Sequence, residues 1–244
     1  MPVEIRTKPL FLNLLYLLKP RLVLDIGSMN GAESLRFRRM LANAKIVAFE
    51  AHPALYRAIV DNPDIRRAGI AVVNKIVSPV SGSAPFYLSN GSFSQENNRG
   101  TSSTRRRLDQ QDVAREIVLP TVTIDEVLQQ DNAEAESAAL WIDVEGAGFD
   151  VLGTLGKSAP RVQLIHIESE LAPVWREQKL KSDIVALADS MGFEWVAHSP
   201  HPLQQDLVFI NKETLRKHQR HVAYAVRLTR MLGSLSSRVL PILA

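Results

Sequence analysis

The chain of 244 residues contains no cysteine. That excludes disulfides, cysteine-ligated zinc, iron–sulfur clusters and a cysteine nucleophile. Long hydrophobic runs are missing too. The stretch Leu10 to Leu18 is interrupted by Asn13 and falls short of the roughly 20 apolar residues that cross a bilayer. No small-residue cleavage site follows it, so neither a transmembrane segment nor a signal peptide is expected, and a soluble cytoplasmic protein is. There is no internal repeat or low-complexity block, and no strong charge bias. Lys and Arg number 29 against 26 Asp and Glu, a net of +3. With so small a net charge, even a pI near 9.3 does not predict a nucleic-acid partner.

What is present is an alternation of short apolar runs and longer helical patterns. The runs Leu22 to Leu24, Ile46 to Phe49, Ile70 to Val73, Ala139 to Ile142 and Val162 to Ile167 suit strands covered on both faces. Helices are expected between them over Gly31 to Ala42, Pro53 to Asp61, Phe149 to Leu155 and Ser182 to Met191. This alternation predicts an α/β fold with a mostly parallel, doubly wound sheet. Phe193 to Ala197 and Asp206 to Ile210 have no helix between them and read as an antiparallel edge hairpin near the C-terminus. Residues 1–210 are expected to form the domain, with 19–88 and 123–210 as its two halves. The polar stretch within 89–122 reads as a flexible loop or lid.

The first strand runs into a turn, Asp25-Ile26-Gly27-Ser28-Met29-Asn30-Gly31. In doubly wound sheets a nucleotide-like ligand sits at this crevice, and glycines there let it approach the backbone. A dinucleotide requires G-x-G-x-x-G so that amides grip its pyrophosphate. Here the glycines are four apart and Asp25 precedes them, an acid suited to a cationic amino group or a sulfonium. The pattern therefore favours S-adenosylmethionine over NAD. Glu50, ending the second strand, is placed to accept hydrogen bonds from ribose hydroxyls. His52 lies two residues beyond it, along the expected adenosine pocket.

Five elements in this order resemble the FkbM family of S-adenosylmethionine-dependent methyltransferases. They are Val23 to Gly31, Ala48 to Pro53, the Asn74 to Ser78 segment ahead of a short hairpin, Val122 to Leu128, and Ile142-Asp143-Val144-Glu145-Gly146-Ala147. Ala51, Trp141 and Gly148 depart from the family pattern. The resemblance implies a class I Rossmann-like methyltransferase that methylates a hydroxyl of a sugar or natural product. It implies a cofactor site of Asp25, Gly27, Ser28, Asn30, Gly31, Glu50, His52 and Asn74.

Methyl transfer from a sulfonium is an in-line displacement, so the protein has to position the acceptor and remove its proton. Candidates at the carboxyl ends of strands are Asp143, Glu145, His166 and Glu168. Such a cluster is also able to hold a divalent cation, but its spacing does not diagnose one and no metal is predicted. The expected partner is a small-molecule or glycan acceptor. A non-catalytic adenosyl-ligand-binding protein and a nucleotide-dependent oxidoreductase are the alternatives on the same fold.

The basic balance is local. From Asn211 to Ala244 there are seven basic residues and one acid, so residues 1–210 are mildly acidic. Val222, Ala225, Val226, Thr229, Leu232 and Leu235 recur at helical spacing within this tail. It is read as a basic amphipathic helical tail, separable from the core and suited to packing, to homo-oligomer contact or to peripheral contact with an anionic surface.

Overall fold

A computed structural model describes residues 2–89, 101–108, 113–130 and 137–236. In chain order the elements begin β1 (Val3–Glu4), α1 (Thr7–Leu18), β2 (Leu22–Ile26), α2 (Ala32–Met40), β3 (Lys45–Phe49), α3 (Pro53–Asp61), α4 (Pro63–Arg67) and β4 (Ala71–Val73). A second group follows: β5 (Ile76–Val77), β6 (Gly82–Ser89), β7 (Val113–Val122), α5 (Ile124–Gln130), β8 (Ala138–Ile142) and α6 (Gly148–Gly153). After a 3₁₀ turn at Gly156–Arg161 come β9 (Val162–Glu170), α7 (Lys181–Ser190), β10 (Phe193–His198), β11 (Gln204–Asn211) and α8 (Lys212–Ser236).

Eight strands form one sheet in the order β1-β10-β11-β9-β8-β2-β3-β4. The pairs from β9 through β4 are parallel, and β11 runs antiparallel to both β9 and β10. This is the expected doubly wound Rossmann-like sheet. The β10–β11 hairpin closes one end, with only the two-residue β1 beyond it.

Alternation along the strands divides the core in two. Leu22, Leu24 and Ile26 of β2 pack with Ile124, Leu152 and Ile184 of α5, α6 and α7. Val23 of β2, with Ala139 and Trp141 of β8, packs on the other face with Phe11, Phe37 and Ile59 of α1, α2 and α3. The apolar runs are continuous because both faces are covered.

One expectation changes here. Within the segment expected as a loop, residues 113–122 form β7, which pairs with β5 and β6 in a separate three-stranded sheet. Its alternation carries buried Leu119, Thr121 and Val122 but was masked by Arg115, Glu116 and Pro120. The basic tail packs on the core, one of the roles expected of it. Val222, Ala225 and Thr229 of α8 are buried against the α1 side of the core, and Asn13 Nδ2 donates to Thr229 Oγ1 at 3.0 Å. No helix among the described residues is long and apolar enough to cross a membrane.

Candidate active site

Register builds the site. Ile26 pairs with Phe49 and with Ile142, and Ile142 pairs with Ile167. The residues that follow these four, namely Gly27, Glu50, Asp143 and Glu168, therefore emerge level at the carboxyl edge of the sheet. Gly27, Glu50 and Asp143 line a cleft there, together with Glu145. Its free space is about 610 Å³, open solvent included. Phe49, Leu55, Ile76, Val77 and Phe86 form an apolar wall.

The first turn is tied together by carboxylates rather than left open. Asp25 is fully buried, and its Oδ2 accepts from Ser28 Oγ at 2.8 Å and Ser34 Oγ at 2.5 Å. Burial raises its pKa to about 6 despite these two bonds. Glu50 accepts at both oxygens, from Met29 N and from His52 N, each at 2.7 Å. Burial pushes Glu50 up to about 7, against the lowering effect of those amides. The Glu50 carboxylate thus fastens the turn after β2 to the turn after β3.

The glycines of the turn are explained by protein, not by ligand. At Gly27 (φ +87°) a Cβ would lie 1.9 Å from the Asp143 carbonyl oxygen. At Gly31 (φ +76°) it would lie 2.7 Å from Ile65 Cδ1. Both positions combine left-handed backbone with close approach, which only glycine tolerates.

At the carboxyl ends of β8 and β9 four acids gather. Ligand atoms of Glu145, Glu168 and Glu170 lie within 4.8 Å of one another, close enough to hold a divalent cation or to share protons. Asp143 and Glu168 are interacting carboxyls, and burial pushes both above the ordinary carboxylate range. Burial raises all four, repulsion within the cluster adds to it for Glu145 and Glu168, and Asp206 and Glu33 add to it for Asp143. Glu145 is brought to about 7, with Arg107 pulling the other way. A carboxyl of that pKa in a cleft exchanges a proton near neutral pH.

The 101–108 segment covers the cleft from outside. Ser102, Ser103 and Thr104 line it. Ser103 pairs with Tyr87 of β6 by an isolated bridge, and its Oγ donates to the Glu145 backbone oxygen at 2.5 Å. Leu108 N donates to Val174 O at 2.9 Å and Arg176 N to Arg106 O at 2.8 Å, which straps the segment to the chain after β9. Arg99 and Gly100 of the expected lid lie outside the described residues.

Of the residues expected to bind or act, Gly27, Glu50, Asp143 and Glu145 meet in the cleft, with Glu168 level with Asp143 at the sheet edge. Six of the residues expected at the cofactor do not line it, Gly31 among them. Asp25 and Ser28 bond to each other beneath the turn. Asn30 Oδ1 accepts from Ala32 N at the start of α2, and His52 Nδ1 from Ala54 N at the start of α3. Asn74 Nδ2 donates to the Glu50 and Ala51 carbonyls. His166 is the clearest correction. It shares a strand face with Leu164, two residues short of the carboxyl edge, and lies in the core stacked on Trp141 at 3.6 Å and edge-on to Phe11. Neither ring nitrogen has a hydrogen-bond partner among the described residues. Burial pushes its pKa down to about 3, helped by Lys8, so it is neutral and removed from the cleft.

Sequence reasoning missed Met29, Lys75 and the apolar wall. Met29 takes a left-handed backbone (φ 52°) that presents its amide to Glu50. No local pattern signals that.

The methyltransferase FkbM domain family matches the chain over residues 25–195. No curated protein sequence matches the chain. Among solved structures, methyltransferase FkbM from Methylobacillus flagellatus KT is similar at 12% identity and a TM-score of 0.49, over 78% of this chain and 43% of that one. The O-methyltransferase from Bacillus cereus in complex with SAH is similar at 12% identity and a TM-score of 0.43, over 84% and 80%. The N-terminal domain of EvdMO1 with SAH bound is similar at 11% identity and a TM-score of 0.45, over 85% and 82%. The family match takes in the Asp25 turn, Glu50, the Asp143 and Glu145 element and β9, so this chain belongs to the FkbM family of methyltransferases.

Proposed function

We propose that the chain is an S-adenosylmethionine-dependent O-methyltransferase whose acceptor is a hydroxyl of a sugar or natural-product small molecule. The observation that carries this reading is the meeting, in one cleft, of the glycine turn, the Glu50 carboxylate and Glu145. The cleft suits an adenosyl ligand. Glu50 keeps unused lone pairs on oxygens already held by amides, and Phe49, Leu55 and Ile76 offer an apolar surface for a base. When bound, the sulfonium supplies an electrophilic methyl.

The protein's own task is then to place the hydroxyl in line and to take its proton. Glu145 is the group for the second step: it lines the cleft, and with a pKa near 7 half of it is ionised at neutral pH. Glu168 lies level with Asp143 at the sheet edge, and its burial raises its pKa. His166 takes no part.

The test is thermal. S-adenosylhomocysteine at 100 times its Kd is expected to stabilise the fold by about 2.7 kcal/mol through linkage, and NAD to leave it unmoved. A shift with NAD and none with S-adenosylhomocysteine would overturn the reading. Glu145→Gln is expected to keep S-adenosylhomocysteine affinity and to lose methyl transfer by about 10²–10⁴-fold.

A further inference from the structure

A second cleft adjoins the candidate active site and differs from it in charge. The two share Thr104. Ser78, Tyr87, Arg105, Arg106 and Arg176 line the second cleft, which has about 800 Å³ of free space including open solvent. The first site is crowded with carboxylates and this one with guanidinium groups.

The three arginines are not equivalent. Arg105 is a fixture: it pairs with Asp150 and donates to the Arg176 and Glu177 carbonyls at 3.0 and 2.8 Å. It neutralises Asp150 and clamps the segment after β9. Arg106 is held differently. Its guanidinium lies over the Tyr87 ring, 4.7 Å from the centroid, and pairs with Glu116 where both side chains are about half exposed. The ring fixes the direction of the charge, and an exposed ion pair is weak enough to exchange for a ligand. Arg176 is exposed, and its guanidinium makes no ion pair among the described residues. Two cations are therefore available, with hydroxyls of Ser78, Tyr87 and Thr104 beside them. Planar guanidinium forks over hydroxyl donors are suited to an oxyanion. Glu177 is the remaining carboxylate on the lining and acts against an anion.

We propose that this cleft binds an oxyanion, a phosphate or a carboxylate, carried by the methyl acceptor. The proposal rests on the methyltransferase reading and narrows its substrate class. An acceptor anchored by its anion on Arg106 and Arg176 reaches past Thr104 with a hydroxyl directed at Glu145. The acidic first site would repel the anion, so the two clefts together fix which end of the acceptor enters.

The test uses the full chain saturated with S-adenosylhomocysteine and calorimetric titration of three probes: a hexose 6-phosphate, a hexuronate and the parent neutral hexose. At least one charged probe is expected to bind ten times more tightly than the hexose, and comparison of the two identifies the oxyanion. Arg106→Gln with Arg176→Gln is expected to abolish that tenfold preference, and Glu177→Gln to increase it. Both arginines are exposed, so the variants are expected to fold, and Arg106→Lys with Arg176→Lys checks for recovery of charge without the fork. Equal binding of charged and neutral probes, no binding of any, or an unchanged preference in the double glutamine variant would each overturn the proposal. Failure of S-adenosylhomocysteine to bind would instead overturn the cofactor reading, and the probe titrations repeated without it still report on the second cleft.

Discussion

Replacing His166 tests the separation between core and active site most directly. Its imidazole is stacked on Trp141, has no hydrogen-bond partner among the described residues and is held near a pKa of about 3 against an ordinary 6.5. Because the folded value is depressed, the neutral ring contributes stability that is intact above pH 6.5 and is lost as the pH falls towards 3. Each pH unit in that window corresponds to about 1.4 kcal/mol. At pH 5.0 the unfolded chain is almost fully protonated at this ring and the folded chain is not, so His166 alone costs about 2 kcal/mol relative to pH 7.5. Asp25, Glu50 and Glu145 act in the opposite direction: their raised values favour the folded state as the pH falls towards 4. Total stability therefore conceals the histidine, and the comparison has to be made with a variant. His166→Phe keeps an aromatic ring on Trp141 and removes the titrating group. Urea unfolding of both proteins at pH 7.5 and 5.0 is expected to show a gap that widens in favour of the variant by about 2 kcal/mol at the lower pH. Binding of S-adenosylhomocysteine at pH 7.5 is expected to be unchanged. A gap that changes by less than about 0.5 kcal/mol, well under that linkage term, would refute the burial argument. Lost ligand binding in a folded variant would return His166 to the site.

Other consequences follow from the same geometry. Gly27→Ala puts a Cβ 1.9 Å from the Asp143 carbonyl oxygen in a left-handed backbone, and circular dichroism melting is expected to show a strongly lowered Tm or no folded protein. Glu50→Gln retains one amide acceptor and loses the other, so the turns after β2 and β3 come apart and S-adenosylhomocysteine affinity is expected to fall at least tenfold by calorimetry, with the far-ultraviolet spectrum unchanged. The pH profile of methyl transfer is expected to rise through about 7 as Glu145 ionises, and a flat profile between pH 6 and 8 would remove Glu145 as the base. Removing residues 213–244 strips buried Val222, Ala225 and Thr229 from the α1 side of the core. Aggregation or loss of the cooperative melt is expected, and a well-folded truncated protein would show that the helix is dispensable.

The strands were legible because they are buried on both faces, and so were the hairpin and the helices from Pro53 to Asp61 and from Lys181 to Ser190. α1 was not recognised as a helix, since its apolar stretch was weighed only as a membrane or signal segment. β7 escaped for a different reason: one face of it is solvent-exposed, so charged residues dilute the apolar signal. In the site, Glu50 and Glu145 were found through local motifs that place an acid just beyond a strand. Asp25, Asn30, His52 and Asn74 were recognised as special from the same motifs, but they bond to protein groups rather than line the cleft.

By itself the sequence determined the chemistry on offer and the class of fold. The absence of cysteine, the two-faced strands, the Asp25 to Gly31 turn and the Asp143-Val144-Glu145-Gly146 element are local properties, and local properties survive in a one-dimensional reading. Tertiary structure decided which side chains meet. Strand register levels Gly27, Glu50, Asp143 and Glu168 at one edge, while a position two residues earlier on β9 carries His166 into the core. Arg106 and Arg176, seventy residues apart in the chain, converge only because backbone bonds strap the two segments together. A side chain's role follows from the depth at which its strand places it and from the groups opposite, and both are set by pairings between residues far apart in sequence.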